Sequence, residues 1–333
     1  MEKNIANDKI DLVILWVDGN DKEWILEKNK YLHIKGDAGE NRFRDCDNLQ
    51  YLFRGIEKYA PWVNKVFFIT WGHIPSWMDI NNPKLRIVKH EEFIPKEYLP
   101  TFNSNVIELN LHRINDLSEK FVLFNDDLFI LNYLEEKDFF ENRLPKDYYI
   151  EYIKKNPSKR HQIMKKNYID IIQEHFNKKD VLKSNFSKIF NFNYGRYLFC
   201  NILSAKNKRF NDFLDLHITQ PFIKSRFSNV WNLEYEKLDG ACKNRFRSNN
   251  DIGKNICRYC QLLEGEFIPY IPDGKYFEVS NNNAKLIDHI LNRKSKIICI
   301  NDAKIDIDFE KSRNEINNSL EIILPNRSKF EKI

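Results

Sequence analysis

The stretch FVLFNDDLFI, residues 121–130, decides how the rest of the chain is read. Four successive apolar side chains predict a buried strand, and Asn125, Asp126 and Asp127 arrive together where that strand should end. Two uncompensated carboxylates are too costly inside a sheet. Something must neutralise them, and a divalent cation beside a phosphate does so, because Mg²⁺ and Mn²⁺ take hard oxygen ligands. The plainer alternative is a turn in which Asn125 and Asp126 cap local backbone.

Upstream, Ile10–Val17 (IDLVILWV) is another apolar strand, ending in the acidic, turn-rich Asp18-Gly19-Asn20-Asp21. Asp47–Tyr59 carries helical spacing and is closed by Pro61. Val66–Thr70 and Leu85–Val88 read as strands, and Asn103–Ile114 as a helix capped by Asn103 or Ser104. This alternation predicts an α/β fold: a mostly parallel, Rossmann- or GT-A-like sheet with helices on both faces. Ligands of such sheets bind beyond the strands' carboxyl ends, where both acidic clusters fall.

The expected organisation is an α/β half over 1–145 and a basic helical insertion over 146–213. The rest of the same domain follows over 214–305, then a polar, weakly helical tail over 306–333. Ser295–Ile300 predicts a further strand delivering Asn301-Asp302 to its end. Between residues 159 and 209 the acids are Asp170, Glu174 and Asp180 alone, amid many Lys and Arg. That face suits anionic lipid or a phosphorylated acceptor, or is simply a solvated helical surface.

At 333 residues with 42% hydrophobic content the chain can bury a sizeable core, and a net charge of +5 argues against a nucleic-acid binder. Met1–Lys9 is polar and Asp11 and Asp18 interrupt the first apolar run, so no export signal is read. The six cysteines are therefore expected to be reduced thiols in the cytoplasm. Cys257-x-x-Cys260 has no second ligand pair at zinc spacing. No apolar run is long enough to span a bilayer, so membrane contact is expected to be peripheral.

Four other groups could carry chemistry. Asn105, Glu108 and His112 stand at helical spacing as one polar stripe beside Arg113, or as an exposed face. His217, before the Pro221 turn, is the best general base if it faces the site, because imidazole exchanges protons near neutrality. Arg245-Phe246-Arg247 offers guanidinium forks for phosphate oxygens. Asn301-Asp302 echoes the Asn-Asp-Asp cluster at a second strand end.

Taken in order, these segments resemble the Stealth family of sugar-1-phosphate transferases. The resemblance runs through Ile10–Asp21, then from Arg42-Phe43-Arg44-Asp45 through Leu99–Asn105 and His112-Arg113-Ile114 to Asn125-Asp126-Asp127. It continues through His217–Pro221 and Phe246-Arg247-Ser248 to Cys299–Asp302, with the Ile218-Thr219-Gln220 spacing departing from the family pattern. It implies transfer of a hexose-1-phosphate from a nucleotide-sugar donor to a glycan hydroxyl, with Mg²⁺ or Mn²⁺ required. Asp18, Gly19 and Asn20 would lie at the nucleotide end, with Arg44 and Arg54 near the donor. Ser104, Asn105, Glu108, His112, Arg113, Asn125 and Arg245 would line the donor and substrate site. Asp126 or Asp127 would hold metal or donor phosphate, His217 would deprotonate the acceptor, and Arg247 would neutralise the phosphoryl group. Asn301 and Asp302 would complete the metal site. The implied setting is capsular or surface polysaccharide synthesis at the inner face of the plasma membrane, with a lipid-linked acceptor compatible.

Two other readings compete. A metal-dependent glycosyltransferase would use the same acidic strand end but attack the sugar carbon and release UDP. A glycan-binding module would use Trp16, Trp62, Trp71 and Trp77 for stacking and would not need Asp126, Asp127, His217 and Arg247 together.

Overall fold

The computed structural model describes residues 9–33, 46–152, 159–302 and 307–332. Strands β1 (Ile10–Leu15), β2 (Val66–Thr70), β3 (Leu85–Lys89) and β4 (Lys120–Asn125) form a parallel sheet in the order β4-β1-β2-β3. Period-2 alternation sends Val13, Phe67, Ile69, Phe121 and Leu123 into one core and Leu12, Ile14, Val66, Phe68, Val122 and Phe124 into the other. With both faces covered, the strands need continuous apolar sequence, which is what made them legible. Asp11, fully buried in β1, is satisfied by the Asn64 amide and the Lys65 and Ser118 N–H groups.

Helix α1 (Lys22–Asn29) starts from Asp21, whose side chain accepts from the Trp24 N–H. Helix α2 (Leu49–Tyr59) packs with the second core and approaches the backbone so closely that a Cβ on Gly55 would lie 3.0 Å from the Ile130 carbonyl. Helix α3 (Ser104–Leu109), capped by Asn103, is shorter than its apolar spacing predicts. The Asn110 side chain bonds back to the Val106 carbonyl, and the chain tightens into a 3₁₀ turn over Leu111–Arg113.

Between residues 159 and 204 the chain forms α4 (Lys159–His175), two short helices at Lys178–Ser184 and Phe186–Ile189, and α5 (Leu198–Ser204), while Glu151–Tyr152 and Asp212–Phe213 pair as short strands. Strand β6 (Gln220–Ile223) then adds antiparallel to β4, followed by α6 (Lys224–Leu233) and α7 (Asn255–Leu263) on the first core.

Strand β5 (Leu128–Ile130) leaves the main sheet directly after Asp127 and joins a second one, with β7 (Gly274–Glu278) and β8 (Ile297–Asn301). The Asn-Asp-Asp turn is thus the hinge between two sheets. The segment after residue 306, read as a weakly helical tail, forms α8 (Phe309–Ile323) and buries Ile316, Leu320 and Ile323 in the second core. Those apolar positions fall on one face at helical spacing, and tertiary burial outweighs their polar neighbours.

Candidate active site

Strand register assembles the site. Leu15 pairs with Asn125 and with Ile69, so the loops after β1, β2 and β4 leave the sheet side by side. Because β6 is antiparallel and Gln220 pairs with Leu123, the residues before it, His217–Thr219, run past the same carboxyl end. From the second sheet, β8 brings its own end to the hinge: the Ile300 N–H donates to the Asp127 carbonyl at 2.8 Å.

Asp127 is the centre of this convergence. The Cys299 thiol donates to Oδ2 at 3.2 Å, while Oδ1 is shut from solvent with no hydrogen-bond partner among the described residues. Burial pushes the carboxyl's pKa up, against the opposing pull of the Cys299 hydrogen bond and the charges of His217 and Lys254. The thiol stays a donor, because burial and then the Asp127 charge push its own pKa far up. Asp126 beside it is exposed.

His217 holds a left-handed backbone (φ 57°) with its N–H on Asp215 Oδ1 at 2.8 Å. Its exposed ring meets the Tyr276 ring edge-on at 5.5 Å. Tyr276 keeps its proton, with a pKa pushed up to about 12 by burial, and its hydroxyl accepts from the Asn301 amide at 2.7 Å. A non-glycine residue costs about 1–2 kcal/mol in that backbone conformation, and it aims the imidazole at the same hinge.

On the α3 side, Arg247 Nη2 donates to Ser104 Oγ at 2.8 Å. Fully buried Asp251 accepts from the Asn103 and Asn105 amides at 3.0 and 3.2 Å, which fixes Arg247 against α3. Glu108 pairs with Lys254 at 2.9 Å, and the Lys254 charge adds a minor pull against the burial that raises the Asp127 pKa. Against burial, the charges of His217 and Arg258 hold the Asp215 carboxyl below its usual range. At the β1 end, Asp18 Oδ1 accepts from the Asn20 N–H, and the Asp18 N–H donates to His73 Nε2 at 2.8 Å. His73 is therefore protonated on Nδ1, and burial holds its pKa below the usual imidazole range despite nearby Asp21 and Asp18.

The predicted residues divide on this geometry. Asp18, Gly19, Asn20, Asn125, Asp126, Asp127, His217, Asn301 and Asp302 lie at the converging strand ends, with Ser104, Asn105, Glu108 and Arg247 held on the flank. The polar stripe is broken: with α3 ending at Leu109, His112 leaves the Asn105–Glu108 face. Its Nδ1 lies 3.1 Å from the Leu109 carbonyl, its ring stacks near Phe227 and Trp231, and burial lowers its pKa to about 4. Arg113 bonds Asn110 and covers Trp231. Arg245 braces the Pro100 carbonyl and the Tyr31 ring. Arg54 is gripped by Glu331 and Glu321 at the C-terminal end of the chain. Arg44 lies outside the described residues. Sequence reasoning missed His73, Lys254 and Tyr276, and marked Asp251 only as the acid following Arg245–Ser248. Of those missed, His73 alone left a signal, in the loop after β2 at the same sheet end.

The donor set is all oxygen. Asp127 Oδ1 is a buried carboxylate oxygen in want of a positive partner; Asp126 precedes it in the chain, and Asp302 follows the strand whose Ile300 N–H bonds the Asp127 carbonyl. This fits a divalent ion held by one or two carboxylates and completed by substrate phosphates rather than a closed protein cage. The tight ligand-type group found among the described residues, Glu174–His175–Glu234, lies elsewhere, and Lys237 already reaches Glu174 and Glu234 at 2.5 and 3.2 Å.

Residues 8–36 match the model of Stealth protein CR1, conserved region 1, and residues 42–147 that of Stealth protein CR2, conserved region 2. A capsular polysaccharide phosphotransferase, WcwK of Streptococcus pneumoniae, is 43% identical over 97% of this chain and 99% of its own length. The chain belongs to the Stealth family. An exopolysaccharide phosphotransferase of Lactiplantibacillus plantarum, cps2G, is 38% identical over 97% of this chain and 96% of that one. Among solved structures, the glycosyltransferase GlyE of Streptococcus pneumoniae aligns with a TM-score of 0.41 at 11% identity, covering 95% of this chain and 62% of that one. The fold assignment rests on the sheets described above. As a Stealth protein the chain is a sugar-phosphate transferase enzyme, and no helix among its described residues is long and apolar enough to cross a membrane.

Proposed function

We propose that this enzyme transfers a hexose-1-phosphate or N-acetylhexosamine-1-phosphate from a UDP-linked donor to a glycan hydroxyl. The setting is bacterial capsular or surface polysaccharide synthesis, and the leaving group is a nucleoside monophosphate. The observation that carries the reading is the buried, unpartnered Asp127 Oδ1 at a hinge onto which His217 and Asn301-Asp302 also converge.

In this reading the acceptor oxygen attacks the phosphorus bonded to the sugar, forming a new P–O bond as the bridging P–O bond to the nucleotide breaks. The hydroxyl proton passes to the His217 imidazole, which the Asp215 contact and the Tyr276 ring hold at the cleft. Arg247, positioned by Ser104, meets charge on the equatorial oxygens. The Asp18–Asp21 loop, clamped by His73, receives the nucleotide end. A bound Mg²⁺ or Mn²⁺, held by Asp127 with Asp126 and Asp302 beside it, would supply charge neutralisation to the diphosphate. Since no bond to the anomeric carbon is cut, its configuration is kept. The acceptor is taken to be lipid-linked, so that the enzyme works at the inner face of the plasma membrane.

Incubation with UDP-hexoses, Mg²⁺ and glycan acceptor, followed by identification of the nucleotide, tests this. UMP supports phosphotransfer, UDP points to glycosyl transfer, and no turnover with any donor favours a binding module.

A further inference from the structure

We infer that the face built by residues 186–209 docks on an anionic lipid bilayer. Helix α5 is inverted in its amphipathicity. It buries Asn201 and Ser204 and turns Phe199, Ile202 and Leu203 outward at 70%, 45% and 68% exposure, at i, i+3 and i+4 on one face. The inversion is locked from inside. The Asn201 amide donates to the Tyr149 and Ile189 carbonyls at 2.6 and 2.8 Å and accepts from the Glu151 N–H at 2.9 Å. Buried Lys178 ties the Ser204 carbonyl to Glu151. Phe186 and Phe192, 64% and 89% exposed, extend the apolar surface along the preceding turns.

Charge names the partner. Residues 186–209 contain no Asp or Glu, while Arg196, Lys206 and Lys208 are exposed and stand beside the apolar side chains in the chain; Arg209 is paired with Asp170 at 3.6 Å. Large exposed apolar groups on a segment whose charges are all positive suit a surface with an apolar interior and anionic headgroups. A second copy of the same face would set like charges against each other. The face shares its support with the chain that leads to the catalytic machinery: Tyr197, Leu198 and Cys200 pack on the same buried cluster of Tyr148, Ile150 and Tyr194 as Leu214 and Leu216, and His217 follows Leu216. This deepens the proposed function by naming the partner surface, and lipid binding is read separately from turnover, so either can fail alone.

Flotation with phosphatidylcholine vesicles, with and without phosphatidylglycerol, at low and high salt, tests it. The full chain should float with the anionic vesicles at low salt and be released by salt. Phe199→Ser with Leu203→Ser, and separately Lys206→Gln with Lys208→Gln, should each weaken that binding by at least about tenfold. Turnover on a water-soluble acceptor should be unchanged in both. The inference is overturned if the wild type ignores anionic vesicles or if the apolar variant floats as well as wild type. It is equally overturned if the wild type is a dimer that the apolar variant renders monomeric.

Discussion

Asp127 carries its carboxylate with one oxygen on a thiol and the other shut away. Because burial raises its pKa, the stability it contributes is present in acid and is lost as pH rises through the raised carboxyl range. Asp127→Asn should therefore leave the metal-free protein as stable as wild type or more so at neutral pH, with that gain vanishing in acid. Turnover should nonetheless fall by about two to three orders of magnitude. Thermal melts across pH and an activity assay check both halves, and a variant that is active or unfolded contradicts them. His217→Asn is the matching change for the base, since Asn tolerates the left-handed backbone that His217 adopts. It should keep the melting temperature and lower kcat by about 10²–10⁴ with little change in KM.

At the scale of elements, the Arg245–Lys254 segment is fixed to α3 chiefly through Asp251, which satisfies two buried amides at once. Asp251→Ala leaves the Asn103 and Asn105 side chains short of partners, and should cost about 2–4 kcal/mol, read as a lowered denaturant midpoint. Asp251→Asn, which keeps an acceptor there, should cost less. This bracing was not legible beforehand, because it joins residues far apart in sequence. The strand ends were legible, because Val66–Thr70 and Phe121–Phe124 are buried on both faces and so written as unbroken apolar runs. The polar stripe through His112 was misread because helical spacing says nothing of where a helix stops, and the Asn110 side chain stops this one.

Across the whole molecule, the switch of the chain from one sheet to another after Asp127 is what builds the site, and no local pattern announces it. Residues that look catalytic by type are drawn off by distant partners, as Arg54 is by Glu321 and Glu331. Buried His90 and half-buried His112, with pKa values lowered by desolvation to about 3 and about 4, stay neutral in the fold. The unfolded chain binds more protons there, so the stability they contribute is present at neutral pH and lost as pH falls through the imidazole range. His112→Phe should flatten the acid side of the melting-temperature profile, and an unchanged slope would count against this. The central claim is that reaction occurs at phosphorus. A donor labelled with a heavy oxygen isotope in the bridge between the sugar's anomeric carbon and phosphorus tests it most directly. The label should appear in the glycan phosphodiester by mass spectrometry; its departure with the released nucleotide would contradict the account.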